Sequence, residues 1–209
     1  MMKKKLILFP FSGNSFEAVD CALHEFDIIG FVDDHPDKQG AQALGIINYQ
    51  RDFIDNNNDA FVLALPGSPS TYEKRNLIIA SLQLDSSRFA TVIHPSSSVS
   101  KHARIGFNTL IMAGAVVTSN AIIGNHVIIL PNSVIHHDTT IGDYTCIGSN
   151  VTIAGNVTVG NQCYIGSGSS IINGISIASG TLVGMGSNVI RPVNKKSVVA
   201  GNPARDIIQ

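Results

Sequence analysis

The sequence predicts two dissimilar parts: a small α/β unit with a parallel sheet over residues 1–90, then a coil of short stacked parallel strands over residues 91–209. Three observations carry this. Strand-like and helix-like runs alternate up to about residue 90. From Ile93 onward Ile or Val recurs at every sixth position, unbroken through Ile105, Ile129, Ile153 and Ile177 to Val189. Charged residues are only 14% of a chain that is 44% hydrophobic, which fits an oligomer hiding part of its surface.

In the first part, LILFPF is a buried strand, and NSFEAVDCALHEF has apolar residues at helical spacing behind a capping Ser or Asn. IIGFVDD is a second strand and AFVLALPG a third. SPSTYEKRNLIIASLQ follows as a helix with Ser-Pro at its start. The opening MMKKKLILFPF has the charge of a secretory leader, but its apolar run is too short and no small-residue cleavage site follows, so it is expected to be the first strand.

In the second part the period decides the structure. A side chain at every sixth residue drifts around an α-helix, whereas a short strand plus a tight turn repeats in place. The β-branched residue points inward. Small residues such as Ser133, Thr139 and Thr145 stand two positions earlier, where corners are crowded. Glycine follows the aliphatic residue at Gly106, Gly124, Gly142, Gly148, Gly160, Gly166 and Gly184, where it is expected to permit unusual backbone angles.

This pattern resembles the hexapeptide-repeat acyltransferases. The resemblance implies a left-handed parallel β-helix with three flats, or 18 residues, per coil. The closing VVAGNPARDI matches that family's Gly-x-Pro-Ala-Arg/Lys end, although a simple terminating turn is the plainer reading of Gly201–Arg205. With the α/β unit in front, the chain is similar to sugar O- and N-acetyltransferases, including the amino-sugar acetyltransferases of glycan and O-antigen biosynthesis.

Stacked at 18 residues, the segment NSVIHHDTTIG places His137 near a corner, with Ser119 one coil below and Gly155 above. A histidine roofed by a residue without a side chain leaves room for a ligand. Asp138 can orient one ring nitrogen while the other takes a proton. The plainer alternative is a set of ordinary polar corner residues. The resemblance implies that His137 is the general base and Asp138 its partner, with direct attack on a CoA thioester and no acyl-enzyme. It also places acetyl-CoA between subunits, against Gly155, Ser167 and Met185, and implies a homotrimer. Some relatives carry histidine at the position of Cys146, where it meets the cofactor carbonyl, so Cys146 is a cofactor-site candidate. As a rival nucleophile it lacks any activating feature in the sequence. His136 stands where the family often has an acidic residue.

In the first unit, Ser12, Gly13 and Asn14 lie between strand one and helix one, where backbone N–H groups can receive phosphate. The Gly-x-Gly-x-x-Gly spacing of a dinucleotide site is absent. Asp33 and Asp34 follow strand two and Gly67 follows strand three, on the same rim. By resemblance this rim takes the nucleotide of a nucleotide-linked sugar. The solvated-turn reading remains open.

The sum of these readings is an acetyl-CoA-dependent N-acetyltransferase acting on a nucleotide-linked 4-amino-4,6-dideoxy sugar. A sugar or sialic acid O-acetyltransferase and a non-catalytic trimeric scaffold are the alternatives. A formal net charge of −1 without basic blocks argues against nucleic acid, and no run is long enough for membrane insertion. Three cysteines without disulfide or metal spacing point to a cytoplasmic protein. No two β-helix histidines stand 18 or 36 residues apart, so no zinc site is expected.

Overall fold

The computed structural model describes residues 3–207; Met1 and Met2 of the expected first strand segment, and Ile208 and Gln209 of the closing segment, lie outside it. Its first unit runs β1 (Lys4–Phe9), α1 (Gly13–Ala22), β2 (Phe26–Val32), β3 (Gln42–Ala43), β4 (Ile46–Tyr49), α2 (Asp52–Asn56), β5 (Phe61–Ala64) and α3 (Arg75–Ala80). The sheet order is β3-β4-β2-β1-β5. All neighbours are parallel except the short β3, which pairs antiparallel with β4 at the edge. The parallel core follows from the apolar runs: Leu6, Ile7, Leu8, Val62 and Leu63 are fully buried, as strands covered on both faces require.

Three elements depart from the expectation. The β3–β4 hairpin and α2 went unread, because their strands are short and their residues mixed in polarity. The long helix expected over residues 68–83 is a turn, a 3₁₀ segment Tyr72–Lys74 and the short α3. At its start the Ser68 hydroxyl bonds those of Ser70 and Thr71 at 2.9 Å, competing locally with helix formation.

From Val92 the chain forms two-residue strands at every sixth residue, collected into three sheets of six, five and eight strands. The first face holds residues 92–93, 110–111, 128–129, 146–147, 164–165 and 182–183. The second runs from 98–99 through 134–135 to 188–189, and the third from 104–105 through 140–141 to 176–177. Partners are 18 residues apart and parallel throughout; Ile135, for example, pairs with Val117 and Ile153. The inward ladder of Ile111, Ile129, Ile147 and Ile165 with its counterparts is one continuous core. A closing hairpin, Val198–Gly201 with Ala204–Asp206, extends the first face.

The small residues do more than fit. Ser133, Thr139, Thr145 and Ser169 are buried, and their hydroxyls donate to Gly148, Ala154, Gly160 and Gly184 carbonyls at 2.6–3.0 Å, satisfying corner backbone that water cannot reach. The glycine expectation needs correcting. The left-handed conformation falls on another series, which includes Asn108, Asn120, His126, Asn132, Asp138, Tyr144 and Asn150, where Asn and Asp tolerate positive φ. Glycine after the inward residue serves close approach between coils: a Cβ on Gly148 would lie 2.4 Å from the backbone nitrogen of Ser167.

The first unit lies against the first face, where Leu110, Met112, Ile128 and Cys146 join Leu6, Leu8, Leu63 and Leu65 in one buried cluster. The second and third faces carry no such cover among the described residues; Thr152, Ser170, Thr158 and Ser176 on them are exposed.

Candidate active site

His137 stands on the corner between the second and third faces. The register is held by backbone bonds: Asp138 N–H donates to Ser119 below (3.1 Å), and Asn156 N–H donates to His137 from above (3.0 Å). The imidazole is 56% exposed. Its Nδ1 bonds Asp138 Oδ2 at 2.7 Å, which makes Nδ1 the donor to an ionised carboxylate and leaves Nε2 as the acceptor. That edge lies against Gly155: a Cβ there would fall 2.6 Å from both Cε1 and Nε2. The absence of that one carbon is what gives the ring its place. The hydrogen bond from His137, and after it one from Asn120, hold the Asp138 carboxyl below the usual aspartate range. The second donor, Asn120 Nδ2, reaches Asp138 Oδ1 at 3.0 Å. Sequence reading missed Asn120, although its position 18 residues before Asp138 is a usable signal.

The other candidates fall at different places. Ser167 and Met185 share the corner between the first and second faces; Ser167 Oγ accepts from the Ser149 N–H at 3.1 Å, and Met185 is 77% exposed. Gly155 is therefore grouped with His137, while Ser167 and Met185 lie across the second face from it. Cys146 lies inside the contact between the two units, 6% exposed, with the Arg75 guanidinium donating to its Sγ at 2.7 Å. Burial pushes its thiol up, against the pull of Arg75.

On the rim of the first unit, Ser12 is the N-cap of α1 but its hydroxyl does not cap, so the leading N–H groups of that helix lack a side-chain partner. Asn14 Nδ2 donates to the carbonyls of Leu65 (3.3 Å) and Gly67 (3.0 Å), tying α1 to the segment after β5. Gly13 has open space at its Cα, whereas a Cβ on Gly67 would lie 2.7 Å from Arg75 Nη1. Asp33 is buried and already accepts three protein donors: the N–H groups of Phe11 (3.1 Å) and His35 (2.9 Å) and the Lys38 ammonium (2.9 Å). Asp34 forms a two-pronged pair with Arg51. Both carboxylates thus hold the loop after β2. A cavity of about 30 Å³ is lined by Asn14 and Gly67 of the first unit and by Leu130, Cys146, Gly148 and Tyr164 of the coils.

Sequence gave no sign of the cluster that joins the units. Arg75, fully buried, also donates to the His126 carbonyl at 2.5 Å. Asn108 takes both backbone groups of Ala64 (2.7 and 2.9 Å) and donates to His126 Nδ1 at 2.8 Å. The His126 ring stacks on Tyr144 with centroids 4.5 Å apart. Burial, and secondarily Arg75, push its pKa down to about 4, so this histidine is neutral.

Clefts of about 350 Å³ beside Arg191 and Arg205 and about 360 Å³ beside Tyr49 and Phe53 open elsewhere, and His137 lines neither. At its own corner the imidazole and the Asp138 carboxylate are both exposed. Among the described residues no group of three His, Cys, Asp or Glu side chains could hold a metal ion, and no helix is long and apolar enough to cross a membrane.

The family model described as bacterial transferase hexapeptide (six repeats) matches residues 102–137 and 120–155. The two matches together cover residues 102–155, three of the 18-residue coils. The whole fold is shared with solved structures. PerB from Caulobacter crescentus, in complex with CoA and GDP-perosamine, superposes with a TM-score of 0.85 at 23% identity, over 99% of this chain and 98% of that one. The acetyltransferase domain of PglB from Neisseria gonorrhoeae, in complex with acetyl coenzyme A, gives 0.84 at 23% identity over 99% and 100%. WeeI from Acinetobacter baumannii gives 0.82 at 22% over 99% and 100%. Direct sequence comparison matches no curated protein.

Proposed function

We propose that this protein is a cytoplasmic, homotrimeric N-acetyltransferase that moves an acetyl group from acetyl-CoA to the amine of a nucleotide-linked 4-amino-4,6-dideoxy sugar, with His137 as general base. The observation that carries this is the exposed imidazole whose Nδ1 is bound to Asp138 at 2.7 Å and whose Nε2 edge faces the vacant side of Gly155. An oriented ring with one bare nitrogen can accept a proton from an attacking amine. The amine nitrogen attacks the thioester carbonyl as its proton passes to Nε2. The C–S bond then breaks, and the departing thiolate takes that proton back from the imidazolium. Asp138 stabilises the imidazolium between the two events. Direct transfer is favoured over an acyl-enzyme because Cys146, the rival nucleophile, is buried and held as a thiol by its apolar setting.

The geometry of the corner supports a trimer. Asn14 and Gly67 of the rim share a small cavity with Gly148, beside the corner between the first and second faces, and His137 stands on the next corner, a full face away. An exposed corner becomes a site when a second surface faces it. A neighbouring copy that places its rim, Ser167 and Met185 opposite His137 would close a cleft for both substrates. PerB binds CoA and GDP-perosamine together, which supports a nucleotide amino sugar as the acceptor class.

The test is CoA release measured against nucleotide-linked 4-amino-4,6-dideoxy sugars with different bases, beside their 4-hydroxy counterparts. Turnover with an amino acceptor is expected. Turnover with the 4-hydroxy sugar alone would make the protein an O-acetyltransferase, and CoA release with none of them would remove the catalytic reading.

A further inference from the structure

We infer that Asn120 is a positioning residue for His137, acting through Asp138; this rests on His137 being the base. The left-handed corner positions stack one coil apart, and at this corner they bring Asn120 (φ 61°) directly beneath Asp138 (φ 57°). Asp138 is the one carboxylate among the described corner residues with positive φ. Its two oxygens have different tasks: Oδ1 accepts from Asn120 Nδ2 at 3.0 Å and Oδ2 from His137 Nδ1 at 2.7 Å. A carboxylate on an exposed turn can rotate, and rotation would release the ring into either tautomer. A donor from the coil below fixes the carboxylate plane, and the plane fixes the proton on Nδ1. Asn120 therefore holds Nε2 bare without touching a substrate.

The other titratable groups of this corner are His136 beside His137, and Lys101 and His102 at the register positions one coil beneath Ser119 and Asn120. The remaining neighbours, Ser119, Gly155, Asn156 and Asn173, carry no charge.

Two substitutions separate positioning from packing. Asn120→Gly suits the positive φ and deletes the donor. It is expected to lower kcat about 3- to 10-fold, the worth of one hydrogen bond, with KM for both substrates unchanged. The acidic limb of the kcat/KM profile should move to lower pH, because a loosely held Asp138 supports the imidazolium less. Asn120→Asp tolerates the same backbone and sets a second carboxylate against the first. It should move that limb to higher pH. A purely structural bond would not shift the two variants in opposite directions. Nitrogen-15 spectra of the imidazole in the substrate-free protein supply a reading independent of turnover: Nδ1-protonated His137 in the parent, mixed tautomers in Asn120→Gly. Parent-like kinetics, limbs and tautomer in both folded variants would overturn the inference. If His137→Ala is inactive in that case, only the role of Asn120 falls. If His137→Ala retains full turnover, the base assignment itself falls.

Discussion

His126 and His137 stand at different corners of one β-helix and have opposite chemistry. His126 is buried between the two units, its ring stacked on Tyr144, its Nδ1 filled by Asn108 and a guanidinium close by. Burial, and after it the guanidinium, favour the neutral ring, and its pKa falls to about 4. His137 is roofed only by Gly155, has no aromatic partner among the described residues, and its one strong neighbour is a carboxylate. The difference teaches that histidines at two successive positions of the six-residue repeat, His137 just before a left-handed residue and His126 itself left-handed, take their chemistry from what the next coil and the next unit present. Burial retires one histidine into structure. Exposure beside Asp138 leaves the other available for proton transfer.

Four experiments sharpen or break that contrast. The largest effect is expected from His137→Ala, which should cut turnover about 10²- to 10⁴-fold in a CoA-release assay, the usual contribution of a general base. Because the ring is mostly solvent-exposed, the thermal midpoint should stay near that of the parent. Next is Gly155→Ala. Its added Cβ would meet the imidazole at 2.6 Å, so the ring must swing away, and a displacement of this kind costs up to about 10²-fold in kcat. Parent-like activity in Gly155→Ala would show that the ring need not sit where it does.

On the other side of the comparison, Arg75→Met keeps volume but removes the donors to Cys146 and the His126 carbonyl. Denaturant unfolding should report a loss of about 1–3 kcal/mol, the cost of leaving buried acceptors unpaired. Turnover per folded molecule should change little unless the same packing also sets the rim. The smallest effect is a pH slope. Between pH 6.5 and about 4 the unfolded His126 binds a proton that the folded one refuses, so stability falls as pH drops through that window and is insensitive to this group above it. His126→Asn, which tolerates the positive φ, should flatten that segment of a stability-versus-pH curve. An unchanged slope would show that another group carries it.

Much of the architecture was legible because its determinants are local. An inward aliphatic at every sixth residue can satisfy only one register, and the corner column of Ser119, His137 and Gly155 follows once the coil length is known. The stacking of His137 against Gly155 was legible on the same ground. The purpose of the glycines was not, because the atoms that exclude a side chain at Gly148 come from the following coil. Asp33 reads as a ligand on the rim, whereas its oxygens meet Phe11, His35 and Lys38 within the protein. Cys146 and Arg75 carry no motif at all; they meet because the first unit folds back on the first face.

By itself, then, the sequence determined the period, the inward ladder, the parallel pairing and the two-unit organisation, since each depends on side-chain pattern along a short stretch of chain. Only the tertiary structure decided which histidine is exposed, which corner lies beside the rim, and that Asn120 reaches Asp138, because burial, charge and hydrogen-bond partners are set by residues brought together from separate coils and from the other unit.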